Sequence, residues 1–84
     1  MPKENDIRVI IIAPNTNPVI KIIKNTLQAF QEIVGGYIET YPFFKTGLLI
    51  VCNEDGKLIS LAPNFKIGNE FIVGTILICG SDPN

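Results

Sequence analysis

Leu27-Gln28-Ala29-Phe30-Gln31-Glu32-Ile33-Val34-Gly35-Gly36-Tyr37-Ile38-Glu39 packs a short helix, its stop and the start of a strand into one stretch of sequence. Leu27, Phe30, Ile33 and Val34 recur at helical spacing and form one apolar face. Gly35-Gly36 supplies the left-handed geometry that ends a helix, and residues 37–41 then alternate with the period of a strand. Just upstream, Asn25 or Thr26 is expected to cap the helix, with Gln28 standing three residues after Asn25 as a capping-box partner would.

Working outward, residues 7–13 are β-branched and end at Pro14-Asn15-Thr16-Asn17-Pro18, which cannot continue a strand. Residues 19–24 follow at hairpin spacing and are expected to pair antiparallel with them. Beyond the helix, residues 37–41, 48–52, 57–61 and 71–79 read as four more strands. The second and third of these are expected to form a hairpin whose Asp55-Gly56 pair supplies positive φ at the bend. Residues 62–70 read as a surface connection, and Gly74 as a bulge or a close backbone approach.

These elements define an α+β fold: a mostly antiparallel, curved five- to six-stranded sheet with one short helix packed on one face. It forms a single domain over residues 7–80, with 1–6 and 81–84 expected as flexible termini. A helix of this length is roughly 15 Å long, whereas five or six strands at ~4.8 Å spacing span more than about 20 Å. One helix cannot cover such a sheet, so the sheet is expected to curl into a half-barrel or to bury its second face on another copy. The expectation is a homo-oligomer, a dimer or higher.

The chain has 84 residues, 46% hydrophobic, with a net charge of −1. So small a domain needs a rich core, and Ile, Val, Leu and Phe supply it. The basic residues are scattered, which argues against duplex nucleic acid as a partner. A polar start, and no apolar run of the ~18 residues a membrane span needs, give no signal peptide or anchor, so a cytoplasmic protein is expected. Cys52 and Cys79 sit in apolar runs with no histidine in the chain and no CxxC spacing. They read as reduced, buried thiols, with a disulfide between neighbouring strands as the alternative, and a zinc site would lack ligands.

Catalysis is poorly supplied. Without histidine there is no Ser-His or Cys-His relay, and the acidic residues show no metal motif, so no enzyme activity, cofactor or metal is expected. Lys45-Thr46-Gly47 echoes a triplet of penicillin-binding enzymes without its partner motifs, and Asn53-Glu54-Asp55-Gly56 is a turn before it is a calcium loop. A paired-carboxylate arrangement of Glu39 and Glu54 is conceivable. Of Tyr37, Tyr41, Phe43, Phe44 and Phe65, two or three are expected in the core. Any left at a rim could stack on a base, with Lys45, Lys57 or Lys66 to meet a phosphate.

Several stretches together resemble one family of small proteins of phages and Firmicute mobile elements, the domain of unknown function numbered thirty-eight forty-six. They are Val34-Gly35-Gly36-Tyr37-Ile38-Glu39, Cys52-Asn53-Glu54 with Gly56-Lys57-Leu58, Pro63-Asn64, and Ile72-Val73-Gly74-Thr75. The chain departs from the pattern at Phe65, where a basic residue is usual, and in the short segment from Asn64 to Phe71. The resemblance implies that polar residues recur at Asn53, Glu54, Asn64 and Thr75, as a binding site would require. The resemblance does not itself carry an activity; by analogy with phage anti-defence proteins of this size, a non-enzymatic sponge for immune evasion is expected. Such a protein sequesters a nucleotide-derived second messenger, a cyclic ADP-ribose isomer or a cyclic oligonucleotide, without cleaving it. The expected ligand-binding residues are Tyr37, Asn53, Glu54, Lys57, Asn64 and Thr75. The alternative is a small inhibitor or accessory factor that binds a host or phage protein through an exposed strand or its acidic turn.

Overall fold

A computed structural model describes residues 5–43 and 45–80. In chain order the elements are β1 (Asp6–Ile12), β2 (Val19–Lys24), α1 (Leu27–Val34), β3 (Ile38–Pro42), β4 (Leu48–Asn53), β5 (Pro63–Ile67), β6 (Glu70–Val73) and β7 (Ile76–Gly80). Five of the strands make one open antiparallel sheet in the order β2-β1-β7-β4-β3, and β5 and β6 form a separate two-stranded hairpin. The α+β class and the antiparallel β1–β2 pairing agree with the sequence pattern. The main sheet's five strands fall within the expected five to six, but the residues after β4 fold otherwise than expected and add a separate hairpin.

Local chemistry accounts for the elements read correctly. At the β1–β2 turn the Thr16 N–H and hydroxyl both donate to the Ala13 carbonyl, at 3.2 and 3.0 Å. The Asn25 N–H donates to the Asn5 carbonyl at 2.7 Å, and Asp6 already pairs with Lys24, so ordered structure begins before residue 7. Thr26 caps α1, its hydroxyl accepting from the Ala29 N–H at 3.1 Å. Gln28 is therefore one turn position too early to close a capping box with it. Gly35 ends the helix at φ 81°, and the Gly35 and Gly36 N–H groups both donate to the Gln31 carbonyl.

The sheet has two unlike faces. On one, Val34, Phe30 and Ile33 of α1 pack over Val9, Val51, Leu77 and Cys79. Leu27 lies on the same helical stripe but stays more than half exposed. On the other face, Ile50, Cys52 and Ile76 are covered by Ile72 and Ile67 of the β5–β6 hairpin. One helix indeed fails to cover the sheet, but the chain supplies its own second cover, and the sheet stays open instead of curling into a half-barrel. The hairpin lies over β4 and β7 and leaves Ile20 and Ile22 of β2 at 69% and 43% exposure.

Three expectations are corrected here. Residues 57–61 are not a strand: the Asn53 Oδ1 accepts from the Asp55 N–H at 2.8 Å and starts a coiled turn, continued by Ile59 N–H to Asp55 O and Leu61 N–H to Gly56 O. Within it the positive φ belongs to Ser60, at 59°, and not to Gly56. Gly56 is needed for space, since a Cβ there would stand 2.7 Å from Val73 Cγ2. Second, residues 63–67, read as a connection, form β5 and turn into β6 at Gly68, φ 58°. Third, the single last strand over 71–79 is two strands, broken at Gly74, whose φ of 78° turns the chain from the hairpin back into the sheet. The close approach expected at Gly74 is present: a Cβ there would meet Leu61 Cδ1 at 2.7 Å. The flexibility expected of residues 1–4 and 81–84, and the contacts of Phe44 and of the Phe65 side chain, fall outside what is described.

Candidate functional site

The coiled turn after β4 leaves a pocket of about 230 Å³ where β3, the end of β4, the turn and β6 meet. Each element contributes for a structural reason. Glu39 and Tyr41 stand on alternate positions of β3, on the face opposite α1, and the Tyr41 hydroxyl donates to Glu39 Oε1 at 2.7 Å. Asn53 and Glu54 come from the end of β4, and Lys57 and Leu58 from the turn. Phe71, Ile72 and Val73 of β6 form the apolar wall. The ammonium of Lys66, cross-strand from Phe71, lies 5.4 Å from that ring's centroid, which orders the aromatic side chain at the rim.

The pocket's electrostatics are mixed. Two carboxylates and one ammonium face a partly apolar space, an arrangement that suits hydroxyl and amide groups flanked by a small charge. The Cys52 thiol on the wall is pushed up to about 11, first by burial and then by the Glu39 carboxylate, against a smaller opposing effect of Lys57. It is therefore a protonated thiol at neutral pH and a poor nucleophile. Its Sγ donates weakly to the Glu39 carbonyl, at 3.6 Å. Cys79 packs on the α1 side of the sheet and Cys52 on the hairpin side, so the two buried thiols are free and a disulfide between them is ruled out by the sheet itself.

Of the six expected site residues, the fold brings together Asn53, Glu54 and Lys57. Asn53 is also architectural: it is buried, and its Nδ2 donates to the Val34 carbonyl at the end of α1, at 3.1 Å. Tyr37 is 69% exposed and lines a different, open groove of about 410 Å³ with Gln28, Gln31, Glu32 and Gly36. Asn64 and Thr75 line neither space. The Asn64 Nδ2 donates to both the Ile12 and the Gly74 carbonyls, at 2.9 and 2.8 Å, and so ties the hairpin to the sheet. Glu39, raised in the sequence only as one of a conceivable pair, does share the pocket lining with Glu54. Phe71 was missed as a pocket residue, and Tyr41 was raised only among the aromatics that could stand at a rim. The one signal for Tyr41 was its position two residues after Glu39 on a strand, which puts both side chains on one face.

Among the described residues no helix is long and apolar enough to cross a membrane. Fold and site together define a small antiparallel α+β domain with a polar-apolar pocket between its sheet and an inserted hairpin. The family model described as Domain of unknown function (DUF3846) matches residues 7–84, and the chain belongs to that family. No curated protein and no solved structure matches it.

Proposed function

We propose that the domain is a non-enzymatic phage anti-defence protein that sequesters a nucleotide-derived immune second messenger, holding one nucleoside portion in the pocket between β3, β4 and β6. The observation that carries this reading is the pocket's set of polar and aromatic groups. Carboxylates such as Glu39 and Glu54 accept from the hydroxyls of a ribose, as acidic residues do in dinucleotide sites. The Phe71 ring at the rim offers a stacking surface for a base, and Lys57 offers a charge for a phosphate. The protonated Cys52 thiol supports binding over covalent chemistry.

A volume of about 230 Å³ lies below the ~300 Å³ at which pockets for drug-sized ligands begin. A cyclic ADP-ribose isomer or cyclic oligonucleotide would therefore extend beyond one chain. Leu58 and Phe71, exposed at 84% and 57%, line the pocket. A second copy meeting the first there would close the site, which makes a homo-oligomer part of the proposal.

The test is thermal-shift screening against cyclic ADP-ribose isomers and cyclic oligonucleotides, with light scattering on the same samples. Ligand at a thousandfold above Kd adds ~4 kcal/mol, and each kcal/mol moves Tm by about 4–8 °C in a domain of this size. A shift of more than about 10 °C for one ligand class, weakened by Glu54→Gln and Lys57→Ala, is the expected result. Intact ligand must be recovered after heat denaturation; recovery of a hydrolysed product refutes sequestration. A second reading, a protein-binding inhibitor or accessory factor, is favoured by a separate observation, the apolar outer edge of β2.

A further inference from the structure

β2 is the end strand of the five-stranded sheet, and it is exposed along nearly its whole length. Its side chains divide cleanly between the faces. Ile20 and Ile22 lie opposite Ile10 and Arg8 of β1 on the hairpin side of the sheet, beyond the reach of the β5–β6 cover. Val19, Lys21 and Ile23 lie on the α1 side. With half-buried Ile10 and Ile78, which pair across β1 and β7, the isoleucines form one apolar strip over three strands that ends at an open backbone edge. The sheet's other end strand, β3, finishes in Pro42, which has no N–H to offer a further strand.

The charge at this edge is distinctive. In a chain of net charge −1, β2 carries Lys21 and Lys24 and the adjoining strand Arg8. Asp6 of β1 is engaged by Lys24 at 3.1 Å. Lysine on an edge strand normally discourages indiscriminate pairing, and here it also selects against a second copy. A twofold axis between two β2 strands runs perpendicular to the sheet, so paired residues must share a face and the register must centre on a residue. Centred on Lys21, it opposes two ammonium groups directly; centred on Ile22, it sets Ile20 against Lys24 and Ile23 against Lys21. The first register sets like charges opposite, which is destabilising, and since β2 carries no acidic residue no self-pairing register gives Lys21 an anion.

We propose that the outer edge of β2 takes up an extended segment of another protein as a sixth strand, and that it recognises an apolar-acidic-apolar alternation. The acidic residue sits opposite Lys21 on the α1 side, and the apolar residues flanking it extend the Ile20–Ile22 strip on the other. Backbone hydrogen bonds along the edge supply affinity without sequence preference, and Lys21 with the isoleucine strip supplies the selection. The inference rests on the protein-binding reading and is independent of the pocket.

The experiment uses fluorescently labelled peptides alternating valine with glutamate, valine with threonine, and valine with lysine. Each is titrated into the full chain by anisotropy, with the mass followed by light scattering. The glutamate peptide is expected to bind roughly tenfold more tightly than the lysine peptide, as opposite against like cross-strand charge implies. Lys21→Glu is expected to invert that order, and Ile20→Ser with Ile22→Ser to weaken all three peptides; these side chains are exposed, so the fold tolerates both changes. Equal binding of all three peptides overturns the acidic selection while leaving protein binding through the edge in place. No binding by any of them, with a monomeric mass, overturns both. A doubled mass that Ile20→Ser with Ile22→Ser abolishes assigns the edge to a second copy and overturns the proposal, and a doubled mass that survives those changes with none of the peptides bound overturns it too.

Discussion

Replacing Asn53 separates architecture from ligand binding more sharply than any other single change. The side chain is 6% exposed, donates to the Val34 carbonyl at 3.1 Å and accepts from the Asp55 N–H at 2.8 Å. It thus holds the end of α1 and the start of the coiled turn in one grip, and Gly36 stays a glycine because a Cβ there would stand 2.9 Å from Asn53 Nδ2. Asn53→Ala removes two hydrogen bonds of about 1 kcal/mol each and leaves a buried carbonyl short of a partner at about 1–3 kcal/mol. The sum is roughly 3–5 kcal/mol, or a Tm lower by about 12–40 °C at 4–8 °C per kcal/mol. Asn53→Asp is worse at neutral pH, since it turns a carboxylate toward the carbonyl end of the helix, where the dipole is negative. Burial and that dipole raise the new carboxyl's folded pKa above the ~3.9 of an unfolded aspartate. The native state then holds its proton more tightly, so stability falls as pH rises from about 4 toward the folded value and recovers in acid. Differential scanning calorimetry at pH 7 and pH 4 reads both effects. If Asn53→Ala lowers stability by less than about 0.5 kcal/mol while abolishing ligand binding, Asn53 is a ligand residue and the structural argument is wrong.

Two other outcomes follow from the same geometry. Gly74→Ala and Gly47→Ala both place a side chain at positive φ, 78° and 76°, but a Cβ meets Leu61 at 2.7 Å in the first and nothing within 4 Å in the second. Gly47→Ala should cost about 1–2 kcal/mol of backbone strain, and Gly74→Ala a further 1–3 kcal/mol or so of overpacking; equal losses in urea denaturation would contradict the packing account. For Cys52, the unfolded chain ionises near 9 while the native thiol holds its proton to about 11. Stability is therefore unaffected below pH 9 and falls between pH 9 and 11, with a slope of up to ~1.4 kcal/mol for each step of one in pH. Cys52→Ala should flatten that fall except for a residual from Cys79, also raised by burial; an unchanged slope would show that other groups cause it.

Where local and tertiary signals coincide, the sequence was legible. Thr26, Gly35 and the apolar stripe of α1 each act within a few residues, and the β1–β2 hairpin needs only its own turn. The misreading at residues 57–61 has a single physical cause. Leu58, Ile59 and Leu61 look like strand residues, but the Asn53 side chain nucleates a turn, and Gly56 lets Val73 press against it. That second contact comes from β6 and leaves no local trace. The β5–β6 hairpin was more accessible, because Gly68-Asn69 between 67 and 70 is a two-residue hairpin signal; Pro63 masked it, being acceptable at the start of a strand that pairs on one side.

The site was legible only in part, because its lining joins β3, the end of β4 and the following turn to β6 of the separate hairpin, which proximity in the chain does not bring together. This bears on what the recurring polar residues mean. Of the four polar positions that the resemblance singles out, Asn53 and Asn64 each have a structural task that an amide performs best. One holds a helix end, and the other bridges two carbonyls of separate segments. The fold alone accounts for an amide at both positions, whether or not a ligand exists. Glu54 is different: the fold engages its backbone N–H, which donates to the Tyr37 carbonyl at 2.8 Å, while its side chain is exposed at the pocket. The case for a binding site therefore rests on Glu54, on Glu39 and Tyr41 beside it, and on Phe71 across from them. Of these, Glu54 and Phe71 are exposed, and they are the positions at which substitution should change ligand affinity with the least change in Tm.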